Sequence, residues 1–74
     1  MLIVDVFKIG GKTAVYCIPN EDEVSIDINN VVIDNIGYKV LKKNVMMALS
    51  GKTSIVLLLD TTNDISVNQN LFIE

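Results

Sequence analysis

Apolar residues of this 74-residue chain cluster in short stretches that are separated by polar or glycine-rich turns. Residues 2–9 and 13–18 predict a first pair of strands, joined most simply by a hairpin at Gly10-Gly11. Residues 24–28 alternate apolar and polar side chains with a period of two, which is typical of a strand with one buried face. The pattern therefore predicts β-structure from the start of the chain.

The middle of the chain allows two interpretations. Residues 31–33 and 38–41 predict two short strands with a bend at Asp34-Asn35. Residues 38–50 also carry apolar side chains at spacings that fit one face of a helix, with Gly51 as a C-terminal stop. Both a strand and a helix over 38–50 stay open at this point.

The last third of the chain predicts more strands. Residues 55–59 are apolar on both faces, which favours a central strand, and the polar residues 61–64 turn the chain towards strands at 65–67 and 71–73. We expect a single all-β domain over residues 1–74: a small antiparallel β-barrel, closed or partly open, of about six to seven short strands. The alternative is an α+β fold with a helix at 38–50 packed on an antiparallel sheet.

The composition bears on partners. Half of the residues are apolar and one fifth are charged, a balance that favours a folded chain over a disordered one. A domain this small has much surface for its volume, so many apolar side chains must face outward. A protein partner or a homo-oligomer is expected, with strands 31–33 and 55–59 supplying core and interface.

Charge argues against broad nucleic-acid binding. The chain has six lysines, no arginine and nine carboxylates, for a net charge of −3, whereas proteins that hold phosphates carry a clustered basic excess. Lys39, Lys42 and Lys43 form the one local basic cluster. A solvated strand edge guarded by lysines explains them, and any RNA contact would be at these three residues.

Cysteine and histidine usage excludes several site types. Cys17 is the single cysteine and histidine is absent, so we expect no intramolecular disulfide, no Cys/His metal cluster and no activated thiol nucleophile. A reducing cytoplasm suits this count. The start of the chain does not resemble a secretory signal. The apolar runs 45–49 and 55–59 are too short for a membrane helix, so we expect no membrane association by a spanning segment.

Two Gly-Lys-Thr triplets, 11–13 and 51–53, invite comparison with a phosphate-binding loop. The full motif also needs a glycine earlier in the loop, where this chain has Val6 and Met46. We favour two turns with solvated lysines. The residues after each triplet form a weak internal echo, 11–26 against 51–67, which either a duplicated strand-turn-strand unit or chance explains.

Other polar and aromatic groups give weaker signals. Glu21-Asp22-Glu23 lacks the spaced ligands of a calcium loop and is expected to be a solvated turn. Asp60 and Asp64 form a carboxylate pair only if the fold brings them to one cleft. The four aromatic residues could stack on single-stranded bases, but we favour core filling; they are Phe7, Tyr16, Tyr38 and Phe72.

Four segments carry a resemblance to a known family. Residues 5–15 have a strand ending in Phe-Lys-Ile, then glycines and a Thr-Ala-Val strand; residues 22–26 read Asp-Glu-Val-Ser-Ile. Residues 48–52 read Ala-Leu-Ser-Gly-Lys before an apolar strand, and 67–71 read Val-Asn-Gln-Asn-Leu. Together they resemble the β-barrel second domain of the translation elongation factor GTPases over roughly residues 3–73. The segment between Cys17 and Asp22 is shorter than in that family.

The resemblance implies a fold and a binding role. It places structural turns at Gly10, Gly11, Gly51 and Asn68, where asparagine replaces glycine and tolerates positive φ. Such barrels contact neighbouring protein domains, tRNA or ribosomal RNA, and they carry no GTPase machinery. We therefore expect a non-enzymatic interaction module without a cofactor, which binds a protein partner or itself. The alternatives are a weak RNA-binding accessory of translation and a carboxylate-based small-molecule or metal site.

Overall fold

The computed structural model describes residues 1–74 and shows six β-strands, one short 3-10 helix and no α-helix. The strands are β1 (Leu2–Ile9), β2 (Lys12–Ile18), β3 (Asn30–Ile33), β4 (Ile36–Met47), β5 (Thr53–Leu59) and β6 (Leu71–Ile73), and the 3-10 helix is Glu21–Glu23. All neighbouring strands are antiparallel. The predicted all-β class is confirmed.

The six strands form one curled sheet in the order β1-β2-β5-β4-β3-β6. The last residues return to the first strand: the Ile3 amide donates to Gln69 O at 2.9 Å, and the Asn68 amide donates to Ile3 O at 2.7 Å. An isolated bridge between Leu2 and Asn70 completes this contact. The sheet is thus a small, partly open barrel, and β5 is a central strand as predicted.

Tight turns set the register of two hairpins. At the β1–β2 turn Gly10 has φ +59° and Gly11 has no positive φ, the pattern of a type II′ turn, which needs glycine at its first central position. At the β3–β4 turn Asp34 and Asn35 have φ of 51° and 63°, as a type I′ turn requires. Both turns suit the right-handed twist of their strands.

The core lies inside the curled sheet. Val15 and Cys17 of β2 pair with Leu57 and Ile55 of β5, and all four side chains are buried on the inner face. Twelve buried side chains form one cluster: Ile3, Val15, Cys17, Ile28, Val31, Ile33, Tyr38, Ile55, Leu57, Leu59, Ile65 and Leu71. The buried apolar side chains thus form one contiguous core.

The alternative prediction of an α+β fold with a helix at 38–50 is wrong, because Ile36–Met47 form strand β4. A register shift between Val40 and Lys42 marks a β-bulge at Leu41. A bulge adds one residue to a strand and changes the phase of its alternation. That change of phase places apolar side chains at spacings that imitate one face of a helix.

Two predicted strands are absent. Residues 24–28 contain bends and irregular chain, and residues 65–67 lie in a loop. Each segment buries one apolar residue in the core, Ile28 and Ile65 respectively, without pairing to a neighbouring strand. The apolar residues of these segments thus contribute to the core without forming hydrogen-bonded strand pairs. Residues 24–26 and 65–67 correspond to each other in the internal echo, and neither copy forms a strand there.

Candidate interaction surface

The most unusual part of the surface is a hairpin of residues 41–53, which we call the arm. It consists of the second half of β4, the connecting loop and the start of β5. β4 pairs with β3 only from Ile36 to Lys39, and beyond Leu41 its one paired neighbour is β5. None of the backbone hydrogen bonds outside the strand ladders involves residues 41–47. One edge of the arm is consequently unpaired.

Apolar exposure rises towards the end of the arm. The exposed fraction is 46% for Val45, 50% for Met46, 72% for Met47 and 110% for Leu49. Contiguous exposed apolar side chains mark interaction sites on soluble domains. Methionine suits such a surface, because its flexible thioether adapts to irregular partners.

The tip of the arm is a defined turn. The Gly51 amide donates to Ala48 O at 2.9 Å, and the Ala48 amide donates to Lys52 O at 2.9 Å. Gly51 has φ +83°, a conformation that favours glycine. These bonds fix residues 48–52 and leave the side chain of Leu49 at the outer end.

Positive and negative side chains lie in different parts of the sequence and therefore of the fold. Residues 35–59 contain four lysines (Lys39, Lys42, Lys43 and Lys52) and no carboxylate, whereas all nine carboxylates lie elsewhere with two further lysines. The segment that forms most of β4, the loop and β5 thus has a formal charge of +4 in a protein of net charge −3. Such a patch attracts acidic groups.

The structure divides the three lysines of the predicted RNA contact. Lys43 lies opposite the buried Leu57, and its ammonium donates to Val24 O at 2.8 Å and to Ile26 O at 2.6 Å. It therefore ties the loop after the 3-10 helix to the arm. Lys39 and Lys42 are exposed, and neither takes part in the two ion pairs of the structure.

A half-open cleft of about 510 Å³ lies between residues 51–54, where the tip of the arm leads into β5, and the end of β2. Its wall combines the second Gly-Lys-Thr triplet with Glu21, so that charges of both signs face the opening. Both triplets lead from a turn into a strand, with Lys12 and Lys52 exposed. A phosphate-binding loop leads from a strand into a helix, so the interpretation as turns with solvated lysines is confirmed.

The remaining candidate groups do not form one site. Cys17 is buried, and burial raises the pKa of its thiol to about 11, so the thiol stays protonated at neutral pH. Glu23 accepts the Asn20 amide at 2.7 Å within the 3-10 helix. Asp64 lies 3.5 Å from Lys8 in an exposed ion pair. No three His, Cys, Asp or Glu side chains are placed to hold a metal ion.

The prediction that the aromatic residues fill the core is correct only for Tyr38. Phe7 and Tyr16 make an edge-to-face contact with ring centroids 5.3 Å apart, on the outer face of the sheet opposite the core. Phe72 is exposed on β6. These rings lie outside because their positions alternate with the buried ones along β1, β2 and β6. Of the four predicted turn residues, Gly10, Gly51 and Asn68 have positive φ.

Sequence reasoning missed the arm. The run Val45 to Leu49 was a visible signal, since it contains five consecutive apolar residues, but its exposure depends on which strands border β4. The structure contains no helix that is long and apolar enough to cross a membrane. Comparison with protein-family models, with curated proteins and with solved structures finds no match, so the translation-factor resemblance stays a prediction.

Proposed function

We propose that this chain is a non-enzymatic interaction module that binds a protein partner through its arm. The observation that carries the proposal is the exposed apolar run Val45 to Leu49 at the end of a defined hairpin. Burying an apolar side chain of this size contributes about 1.5–3 kcal/mol. Association itself costs several kcal/mol, so several of these side chains must enter one partner pocket together.

The resemblance to the second domain of translation elongation factors agrees with this role, since such barrels work by contacting neighbouring macromolecules. We place the module in the cytoplasm, where a single buried thiol such as Cys17 is compatible with the reducing conditions.

Site-specific photo-crosslinking in the source cells tests the proposal. A photoreactive phenylalanine analogue at position 49 is expected to capture a defined protein. The same analogue at Phe72, which is also well exposed but lies on β6, serves as the control. Equal crosslinking at both positions would overturn the proposal, because the arm would then be no better a surface than any other.

RNA binding is the second candidate, favoured by the exposed Lys39 and Lys42 on a segment without carboxylates. Lys43 is engaged in hydrogen bonds to the protein itself, which leaves few free cations for phosphates. Binding of a uridine-rich oligonucleotide should then weaken steeply as salt rises. Charge reversal at Lys39 and Lys42 that left such binding unchanged would remove this candidate.

A further inference from the structure

We propose that the unpaired edge of β4 takes an extended segment of a partner protein as an additional antiparallel strand, and that this segment alternates acidic and apolar side chains. The inference rests on the proposed function, since it specifies how the arm binds and what chemistry it selects.

The backbone of the arm supplies the first argument. In an antiparallel strand, successive residues direct their N–H and C=O groups to opposite sides. The Ala48 amide donates to Lys52 O on the β5 side, so the even-numbered residues of this stretch also face β5. Lys43, Val45 and Met47 therefore present their N–H and C=O groups at the unpaired edge. Such a row of free backbone groups is a template for strand addition.

The two faces of the arm supply the second argument. Val45 and Met47 lie opposite Ile55 and Thr53, on the face that continues the inner apolar layer. Side chains of an added strand on that face would cover them, which favours apolar residues there. On the other face Lys42 lies opposite Leu58 and makes no ion pair. Side chains of the added strand on this second face would meet lysine, which favours carboxylates.

Charge also decides between a partner and a second copy of the chain. Edge-to-edge pairing of two arms would bring together two segments that each carry three lysines and no carboxylate, a formal charge of +3. Lysine at a strand edge is a common protection against such self-pairing. A segment of opposite charge has no such penalty, so the occupant that fits this edge is an acidic extended segment of another protein.

The experiment uses a capped peptide of alternating glutamate and valine, about as long as the unpaired edge, added to the intact protein. Amide hydrogen exchange followed by NMR is expected to show slowed exchange at Lys43, Val45 and Met47. In the free protein these amides should exchange faster than those of Lys42, Asn44 and Met46, which face β5. A peptide with lysine in place of glutamate is the control and should give no protection.

A pair of charge reversals sharpens the test without altering the backbone. Lys42→Glu is expected to weaken binding of the glutamate peptide about threefold to fivefold, as loss of one exposed ion pair allows. Lys12→Glu is the matched control, because Lys12 is an exposed lysine of β2 away from the arm. Equal weakening by both variants would overturn the assignment of the acidic side chains to the arm.

The outcomes separate this inference from the proposed function. Peptide binding without protection of the three amides would overturn strand addition, while the apolar tip remained the binding surface. No peptide binding, together with specific crosslinking at position 49, would also overturn strand addition alone. Protection of the same amides by raised protein concentration would identify a second copy as the occupant, and protection by a uridine-rich oligonucleotide would identify RNA; either result overturns the inference.

Discussion

The ammonium nitrogen of Lys43 lies 2.8 Å from the carbonyl oxygen of Val24, and this contact joins the arm to the loop that follows the 3-10 helix. The same ammonium also reaches Ile26 O at 2.6 Å. Two backbone carbonyls that have no strand partner thus receive their hydrogen bonds from one side chain. A residue that the sequence marked as a candidate for RNA contact has a structural role.

Replacement of Lys43 by methionine is expected to lower the free energy of unfolding by about 1 kcal/mol, because hydrogen bonds from a charged donor to Val24 and Ile26 are lost. Lys42→Met is the control, since Lys42 is exposed and should change stability by less than about 0.5 kcal/mol. Urea unfolding of both variants measures the difference. Equal stability of the two variants would contradict the structural role of Lys43.

The two Gly-Lys-Thr triplets provide a matched pair of threonines. Thr13 is fully buried, and its hydroxyl donates to Thr61 O at 2.9 Å. Thr13→Val should therefore destabilise the protein by about 1–2 kcal/mol, because the partly buried Thr61 carbonyl loses its hydrogen-bond partner. Thr53, at the corresponding place in the second triplet, is only half-buried, and Thr53→Val should cost less than about 0.5 kcal/mol. Thermal unfolding of both variants measures the difference. A loss of stability at Thr53 as large as that at Thr13 would contradict a structural role specific to the first triplet.

Alanine substitutions at the two glycines of the β1–β2 turn distinguish the effect of backbone strain from that of steric contact. A Cβ atom added at Gly10 or at Gly11 would meet nothing within 4 Å, but only Gly10 has a positive φ, +59°. Gly10→Ala is therefore expected to cost about 1–2 kcal/mol. Gly11→Ala should be close to neutral, because its cost in the folded state is small and the unfolded chain loses freedom. A reversed order in denaturant unfolding would show that the turn has another geometry.

Cys17 predicts a dependence of stability on pH. Burial raises the pKa of the thiol from 9.0 to about 11 in the folded protein, so unfolding above pH 9 releases a proton. The stabilisation is present below the unfolded pKa and is lost as the pH rises towards the folded pKa. Wild type should thus lose about 2 kcal/mol more than Cys17→Ala over this range. Unfolding curves of both proteins from about pH 8 to about pH 11 measure it; parallel pH profiles would contradict a buried thiol.

The sequence by itself determined those elements whose residue pattern is sufficient to predict their place in the sheet. The hairpin of β1 and β2 follows from two apolar stretches around Gly10-Gly11, and the central position of β5 follows from apolar residues on both of its faces. In each case the local pattern and the final neighbours require the same conformation. The all-β class was predictable for the same reason.

Tertiary structure decided the elements whose conformation depends on distant neighbours. Residues 24–28 have the alternation of a strand, yet they pair with no neighbouring strand, and the carbonyls of Val24 and Ile26 accept hydrogen bonds from the Lys43 ammonium instead. The arm depends in the same way on the early end of the β3 ladder at Lys39. A backbone edge is exposed or covered according to which strand lies next to it, and that choice is made by packing across the whole sheet rather than by the residues of the edge itself.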